Sequence, residues 1–253
     1  MSMFEIVFSP TGGTEKVSGL VTGTLDGNIV TVDLTDSGLD FHGVSMAKGD
    51  VAVISVPSYA GRVPAVAVER LGMVRGNGAR AVLVCVYGGR AFEDTLIELE
   101  DVAKRAGFRV VAAVSAIAEH SVARQFAAGR PDAQDVAQLS EFAQRIRQKL
   151  LDGAASEPSI PGNRPYKQVG GHSMVPHATE DCVSCGACAA LCPVRAIDKD
   201  DPRQVDGEAC ISCMRCVSVC SQNARKLDPN KLAAVTQMLS KACVERRECE
   251  IFI

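Results

Sequence analysis

The sequence has no tryptophan, and aromatic residues make up only 4% of its 253 residues, which argues against a wide aromatic binding surface. The longest largely apolar stretch, Val110 to Ala118, is far too short to span a bilayer. The N-terminus lacks the basic flank and apolar run of a secretion signal. The net charge of -3 gives no reason to expect nucleic acid or an anionic membrane as a partner. We therefore expect a cytoplasmic protein that binds neither.

Cysteine, by contrast, is abundant, and eight of the 11 cysteines form two runs of one spacing, 28 residues apart. In a chain without a secretion signal, so many cysteines indicate a reducing compartment and metal ligation. Within a run, the first three cysteines are separated by two residues each, so that one loop can wrap three corners of a cube-shaped metal cluster. The fourth cysteine follows after three residues, and that step carries its thiolate away on a helical turn. The runs are Cys182-x2-Cys185-x2-Cys188-x3-Cys192 and Cys210-x2-Cys213-x2-Cys216-x3-Cys220.

These runs predict two [4Fe-4S] clusters with crossed ligands. Thiolates suit iron–sulfur clusters, and in two-cluster ferredoxins the fourth cysteine of a run ligates the other cluster. A zinc site or disulfides are the alternative, but zinc sites usually pair two CxxC units. The stretch resembles a bacterial two-cluster ferredoxin module over about residues 177–228, with Ser221 where a proline would complete the second copy. The predicted ligand sets are Cys182, Cys185, Cys188 and Cys220 for one cluster, and Cys210, Cys213, Cys216 and Cys192 for the other.

The N-terminal part opens with a β-rich run, Phe4–Phe8, a loop of hydroxyl and glycine residues, and a helical pattern from Glu15. This is the geometry of a phosphate cradle, in which loop amides and a helix N-terminus face an anion. It is neither a Walker A loop nor a GxGxxG fingerprint. It resembles the flavodoxin phosphate loop, which binds the FMN phosphate, although a plain βα turn is the alternative. The candidate phosphate-binding residues are Ser9, Thr11, Gly12, Gly13 and Thr14.

Four further strands alternate with helices, which predicts an α/β fold with a doubly wound parallel sheet. We expect a flavodoxin-like five-stranded sheet of order 2-1-3-4-5, with a second, smaller α+β two-[4Fe-4S] ferredoxin domain. The predicted strands after the first are Ile29–Asp33, Val51–Val56, Ala79–Tyr87 and Arg109–Ala116. The first predicted helix runs from Glu15 to about Leu25. The other three are Pro64–Val74, Ala91–Ala106 and Asp132–Leu151.

In that order, the loops after strands one, three and four converge where such sheets bind ligands. Tyr59 is the predicted ring-stacking residue, with a solvent-facing aromatic as the alternative. Arg62 and Arg90 are expected either to stabilise a negatively charged reduced flavin or to be solvated. The candidate flavin-binding residues of the second and third loops are Pro57, Ser58, Tyr59, Ala60, Gly61, Arg62, Val63, Tyr87, Gly88, Gly89, Arg90 and Phe92.

The loops at 57–64 and 87–94 resemble those of single-chain flavodoxin–ferredoxin fusions, as do Glu119-His120-Ser121 and Ala128–Asp132. The resemblance covers nearly the whole chain. It implies FMN, two [4Fe-4S] clusters and low-potential electron transfer, without a defined substrate. His120 follows the fifth strand, so it could approach the flavin edge, but a lone loop histidine is more often a hydrogen-bonding or surface residue.

The sequence divides into four parts. We predict a flavodoxin-like FMN-binding domain at 1–152, a linker rich in proline and glycine at 153–176, a ferredoxin domain at 177–228, and a C-terminal helix (Pro229–Ala242) and tail at 229–253. Cys85 is predicted to be a buried small hydrophobe. Cys243 and Cys249 belong to no cysteine run and are interpreted as spare thiols.

Two functions follow from these features. The first is an electron-transfer protein in which FMN and two clusters convert one- and two-electron steps. The alternative is an FMN-dependent reductase of a small molecule, fed by the clusters, with an open pocket over the ring and His120 as proton donor. Redox partner proteins are the expected partners, and the linker could dock the ferredoxin domain on its own flavin face or on that of a second subunit in a homodimer.

Overall fold

The computed structural model describes residues 2–25, 28–153, 156–170 and 174–253. Parts of the predicted linker, at 154–155 and 171–173, lie outside the described residues. The strands are β1 (Met3–Val7), β2 (Ile29–Asp33), β3 (Val51–Pro57), β4 (Arg80–Tyr87), β5 (Arg109–Ile117), β6 (His177–Ala178), β7 (Arg225–Lys226) and β8 (Glu250–Phe252). The helices are α1 (Gly13–Leu25), α2 (Ala65–Met73), α3 (Thr95–Arg105), α4 (Ala133–Leu151), α5 (Ala187–Ala190), α6 (Arg215–Ser218) and α7 (Pro229–Ala242), with a 3-10 turn at Phe41–Gly43.

The main sheet has the order β2-β1-β3-β4-β5-β8. Its first five strands are parallel, which confirms the predicted order 2-1-3-4-5. The sixth strand, β8, pairs antiparallel with β5 and was not predicted. It is only three residues long and partly exposed, so its sequence lacks the apolar run of a buried strand. It joins the sheet by pairing with the edge of β5 that does not face β4.

Two hydrophobic layers cover the faces of this sheet. Alternate residues of β3 point to opposite faces, as the period of a strand requires: Ile54 belongs to one layer and Val53 to the other. The first layer packs the sheet against α2 and α3, and the second packs it against α1 and α4. Burial on both faces is why the central strands read as almost continuous apolar runs.

Helix α3 begins at Thr95, four residues later than the sequence predicts. Glu93 adopts a left-handed conformation (φ +43°), which a helix does not continue through. The Asp94 carboxylate instead accepts hydrogen bonds from the backbone N–H groups of Asn163 (2.8 Å) and Lys167 (2.7 Å). The segment 91–94 is therefore a loop that is held by the linker.

The linker lies along α3. Arg164 makes a bidentate ion pair with Asp101 (2.7 and 2.8 Å), and Tyr166 donates a hydrogen bond to the same carboxylate. Ile160 packs against the first hydrophobic layer. These contacts attach the described part of the linker to the flavodoxin-like domain.

The ferredoxin region is built from two structurally equivalent copies. Its two short strands, β6 and β7, pair antiparallel. In each copy an alanine N–H donates to the sulfur of the fourth cysteine at 3.3 Å, from Ala196 to Cys192 and from Ala224 to Cys220. The sequence repeat is therefore also a repeat of backbone geometry.

Helix α7 has the predicted bounds. Asp228 caps it by accepting hydrogen bonds from the N–H groups of Asn230 (2.8 Å) and Lys231 (3.1 Å). The tail then returns to the main sheet as β8. Among the described residues, no helix combines the length and apolar character that crossing a membrane requires.

Candidate functional site

The loop between β1 and α1 is positioned by hydrogen bonds between Ser9 and two residues outside the loop. The Ser9 N–H donates to Thr35 Oγ1 (2.8 Å), and Ser9 Oγ accepts from the Glu15 N–H (2.9 Å). Gly12 has φ +85°, a conformation that favours glycine. Together these features turn the chain sharply into the N-terminus of α1, where unpaired amides can face an anion.

A cavity opens beside this loop and extends along the carboxyl ends of β3, β4 and β5. The loops after β1, β3 and β4 converge on it as expected, and the loop after β5 joins them. Its lining residues are Pro10, Thr11, Gly13, Thr14, Pro57, Ser58, Tyr59, Val86, Tyr87, Gly88, Ala118, Glu119, His120 and Ser121.

A second, larger cavity of about 280 Å³ lies between the two domains, and we call it the interdomain cavity. It shares six lining residues with the first cavity: Ser58, Tyr59, Tyr87, Gly88, His120 and Ser121. Ile211 and Ser212 of the ferredoxin region also line it, and both lie between Cys210 and Cys213 in the sequence. A cysteine-rich loop therefore meets the candidate flavin loops within one chain. Its other lining residues are Ala60, Gly61, Arg90, Ala91, Val122, Val169, Gly170, Met174, Val235, Met238 and Leu239.

Two polar groups of the interdomain cavity reflect this proximity. Desolvation raises the pKa of Tyr59 well above its usual range, and the nearby Cys213 adds to the increase. Ser212 Oγ is buried and has no hydrogen-bond partner among the described residues. A buried hydroxyl without a partner is costly, so a bound group that offers an acceptor would fit here.

His120 is packed tightly against Gly88. A Cβ atom at Gly88 would lie 2.4 Å from His120 Cδ2, so only glycine fits there. His120 Nδ1 accepts hydrogen bonds from the N–H groups of Val122 (3.2 Å) and Ala123 (3.1 Å), which places the proton of the neutral ring on Nε2. Burial, reinforced by the charge of Arg90, lowers the pKa of His120. His120 is therefore a neutral Nε2–H donor at pH 7.

Arg62 has a different environment from the expected one. Its guanidinium pairs with the buried carboxylate of Glu98 at 2.7 and 2.8 Å, and Glu98 also accepts the Val63 N–H at 2.9 Å. Arg62 further donates to the carbonyl of Lys167 and lies over the Tyr166 ring. It lines neither cavity, because Glu98 holds it on the side of α3.

Five more candidate residues also lie outside the cavity walls. Val63 packs in the first hydrophobic layer, and Phe92 packs edge-on against Tyr87 with ring centroids 5.5 Å apart. Ser9, Gly12 and Gly89 shape their loops without lining either cavity. Arg90 does line the interdomain cavity, and it is paired with Glu93 at 2.9 and 3.0 Å.

The cysteines of the two runs line two small cavities in the ferredoxin region. The first is lined by Cys182, Cys185, Cys188 and Cys220, and the second by Cys192, Cys210, Cys213 and Cys216. We call them the outer and the inner cysteine cavity. Each contains the fourth cysteine of the other run, because the short helices α5 and α6 carry Cys192 and Cys220 away from their own loops.

The loops around these cavities have matching, unusual backbone geometry. Ser184 and Ser212 both have φ +53°, and Gly186 and Met214 have φ +77° and +63°. Left-handed residues at equivalent positions curl each loop around a central space. Such geometry is costly for non-glycine residues and persists only where the surrounding structure holds it in place.

The donor set fits a cluster with thiolate ligands. Burial raises the pKa values of Cys213 and Cys216 to about 12, so a bound metal is needed to ionise them at neutral pH. Arg215 lines the inner cavity, and its Nε is buried without a hydrogen-bond partner in the described part of the chain. No group of three or more Cys, His, Asp or Glu side chains within the described ranges is arranged to hold a single metal ion. A cubane needs a wider spacing than one ion, because each thiolate binds a different iron.

Three arginines connect the domains through backbone carbonyls. Arg70 of α2 donates to the Pro193 carbonyl. Arg195 donates to the Ser37 carbonyl (2.7 Å), and Arg215 donates to the Pro10 carbonyl in the loop after β1 (3.1 Å). The ferredoxin region is therefore held against the flavin-side loops of its own chain.

The cysteine-rich part of the chain matches a known protein family. Residues 174–221 match the family described as the 4Fe-4S dicluster domain. The sheet order of the N-terminal part is that of flavodoxin. The chain is a fusion of a flavodoxin-like domain with a domain that matches the 4Fe-4S dicluster family.

Solved structures similar to the fusion include flavodoxins. That of Streptococcus pneumoniae TIGR4 is 21% identical, with a TM-score of 0.41, and the alignment covers 58% of this chain and 99% of that one. Flavodoxin 1 from Bacillus cereus is 13% identical, with a TM-score of 0.42 and coverage of 58% and 98%. A flavodoxin from the domain Archaea is 11% identical, with a TM-score of 0.43 and coverage of 60% and 99%. Comparison with curated proteins finds no match.

Some residues of the fusion's interdomain cavity were not predicted from the sequence. The apolar side chains of Val235, Met238 and Leu239 form one wall, and Met174 contributes from the end of the linker. In the sequence these residues are ordinary helix and loop hydrophobics. Only the position of α7 over the loops reveals their role.

The three remaining cysteines lie outside these cavities. Cys85 is buried in the middle of β4, as expected. Cys249 is buried, with its sulfur 3.8 Å from Asp135 Oδ1, and Cys243 ends α7. Their interpretation as spare thiols stays a prediction.

Proposed function

We propose that the fusion transfers electrons between FMN and redox partner proteins through two [4Fe-4S] clusters. The observation that carries this proposal is the interdomain cavity, where Ser212 of the inner-cluster loop and Tyr59 of the flavin loops line one space. Electron tunnelling needs short gaps, and two cofactor loops that line one cavity support such a gap within a single chain. The cofactors supply the redox chemistry, and the protein sets their spacing and electrostatics.

The inner cluster would be the one next to the flavin. Its ligands are Cys192, Cys210, Cys213 and Cys216. The outer cluster would exchange electrons with partner proteins, because Cys185 is exposed and the neighbouring Val183 side chain is 65% exposed. Electrons would pass from the partner protein to the outer cluster, then to the inner cluster and finally to the flavin, which is a continuous path.

We propose FMN as the flavin because the loop after β1 offers one phosphate site. Thr11, Gly13 and Thr14 would hold the phosphate through hydroxyl and amide donors at the N-terminus of α1. Tyr59 and Tyr87 would contact the ring, and the His120 Nε2–H would donate to one of its edge atoms. The sequence contains no GxGxxG fingerprint of the kind that binds dinucleotides.

The alternative is a reductase that uses the flavin to reduce a small molecule. The position of His120 at the cavity favours it, since its Nε2–H could donate a hydrogen bond to a substrate, but a neutral imidazole is a poor proton donor. The volume argues against it: ligand pockets usually have about 300–1,000 Å³, and about 280 Å³ leaves little room for a second molecule beside a flavin ring. We therefore rank electron transfer first.

The first experiment is an analysis of anaerobically purified protein for iron, sulfide and flavin. Two clusters predict about eight irons per chain, and one phosphate site predicts one FMN. Cys85→Ala is the matched control, because Cys85 lies outside both cysteine cavities and its loss should leave the iron content unchanged. An iron content of one atom per four cysteines would instead indicate zinc-like single-ion sites.

The second experiment measures electron transfer directly. The clusters are reduced with a low-potential donor, and bleaching of the flavin is followed at several protein dilutions. A rate that is independent of protein concentration supports transfer inside the chain. A rate proportional to concentration would mean that separate molecules exchange electrons by collision, and the continuous path would be abandoned.

A further inference from the structure

Arg225 is a buried cation in the ferredoxin region. It lies in β7, and only 2% of its surface is exposed. Its Nη2 contacts Cys188 Sγ at 3.4 Å and also donates to the Pro202 carbonyl, and its Nη1 lies 3.5 Å from the Pro176 carbonyl. The contacts found for it in the described part of the chain are to carbonyls and a thiol, not to a carboxylate.

The guanidinium lies between the two cysteine cavities. Cys188 and Pro202 line the outer cavity, and Pro176 lines the inner one. A buried charge without a counter-charge is strongly unfavourable. A [4Fe-4S] cluster with four thiolate ligands carries a net negative charge in both of its oxidation states. Because Arg225 lines the outer cavity and its Nη2 contacts Cys188 Sγ at 3.4 Å, an outer cluster would be the nearest counter-charge for it.

The internal repeat supplies a natural comparison. Arg225 follows Ala224, which donates its N–H to Cys220, and Ile197 follows Ala196, which donates its N–H to Cys192. Ile197 is 6% exposed and lines the inner cavity, as Arg225 lines the outer one. The two copies therefore place an apolar side chain beside the inner cavity and a cation at the equivalent position beside the outer cavity.

We propose that Arg225 sets the order in which the two clusters are reduced, by raising the reduction potential of the outer cluster above that of the inner one. This inference rests on the proposed function. Reduction adds one electron from the partner protein to the cluster, and no bond forms and no proton moves. A nearby cation stabilises the more negative, reduced form, and its effect is large where water is excluded. The outer cluster would thus be the first to accept an electron and would retain it until the inner cluster and the flavin can accept it.

The test is a redox titration of the anaerobic holoprotein monitored by EPR. In Arg225→Gln, the ratio of reduced to oxidised outer cluster at a fixed potential should fall at least tenfold, which is about 59 mV for one electron. Arg225→Lys keeps the charge and should lose less than half of that shift. Arg203→Gln is the matched control, since this exposed arginine donates to the Cys182 carbonyl at 2.7 Å but is screened by water. It should change the ratio less than threefold.

The two signals can be assigned with Cys192→Ala, which removes a ligand of the inner cluster and leaves the outer one. The signal that survives should titrate at the higher of the two wild-type potentials. This measurement does not depend on the folding of any Arg225 variant. A surviving signal at the lower potential would overturn the inference.

The inference and the proposed function fail in different ways. If both clusters are present but Arg225→Gln shifts neither potential, Arg225 does not set their order, and electron transfer through two clusters still stands. If the wild-type protein contains no [4Fe-4S] signal at all, the proposed function is wrong, and the inference is overturned with it.

Discussion

Glu98 is the residue that attaches the Tyr59 loop to the rest of the flavodoxin-like domain. Its carboxylate, 8% exposed, accepts two hydrogen bonds from Arg62 and one from the Val63 N–H. The same helix also holds Ser58, through a 2.7 Å contact between the Ser58 and Thr95 hydroxyls. We predict that Glu98→Gln weakens both the fold and the binding of FMN, because glutamine cannot accept all three bonds.

The size of the effect follows from the burial of the pair. Removing one partner of a buried ion pair costs about 3–5 kcal/mol. Arg62 is 23% exposed and keeps its bond to the Lys167 carbonyl at 2.7 Å, so solvent and that bond recover part of the loss. We expect a decrease of about 2–3 kcal/mol in the free energy of unfolding. For a chain of this size that is a decrease of roughly 4–12 °C in Tm.

The assay combines thermal unfolding with titration of apoprotein by FMN. Loosening the loop should weaken FMN binding at least tenfold, or about 1.4 kcal/mol. Glu100→Gln is the matched control: it lies on the same helix, is equally buried at 8%, and pairs with Lys104 and Arg164, both at 3.0 Å. That variant should lose stability but keep its affinity for FMN within about twofold, because its partners lie on the linker side.

The reasoning would be refuted in either of two ways. Glu98→Gln could bind FMN as tightly as the wild type, which would mean that the loop does not depend on this anchor. Alternatively, Glu100→Gln could weaken FMN binding as much as Glu98→Gln, which would make the effect a general consequence of lower stability.

Three further predictions concern the cofactors and pH. Cys192→Ala should damage the cluster held with Cys210, Cys213 and Cys216, with EPR of the reduced variant as the measurement; perturbation of the outer cluster would contradict the crossed ligand sets. Thr11→Asp should expel the flavin, because Thr11 is exposed at the phosphate loop and a carboxylate there repels the phosphate; mass spectrometry should identify the cofactor released by the wild type as FMN, and FAD would contradict the single-phosphate site. The folded-state pKa of His120 lies below its unfolded value of about 6.5, so the unfolded state binds more protons and the stability from neutral His120 is lost as pH falls through the folded pKa. In urea unfolding below pH 6.5, His120→Gln should therefore lose less stability with falling pH than the wild type, and equal slopes would mean that His120 does not contribute.

The properties that the sequence determined are local ones. Three ligands of each cysteine run lie within seven residues, so spacing alone defines the loop that encloses them. The phosphate loop is likewise one continuous strand, turn and helix. The alternation of strands and helices predicted a doubly wound parallel sheet, because few topologies bury both faces of such a sheet, and the resemblance to flavodoxin implied its order 2-1-3-4-5.

The properties that only the tertiary structure decided depend on partners far apart in the chain. Arg62 and Arg90 look alike in the sequence, but Glu98, 36 residues after Arg62, holds Arg62 on α3, while Arg90 lines the interdomain cavity. Arg225 belongs to no motif in the sequence, and only packing places its guanidinium between two groups of cysteines. Short segments specify their own backbone, whereas the environment of a side chain is specified by whatever the folded chain brings against it.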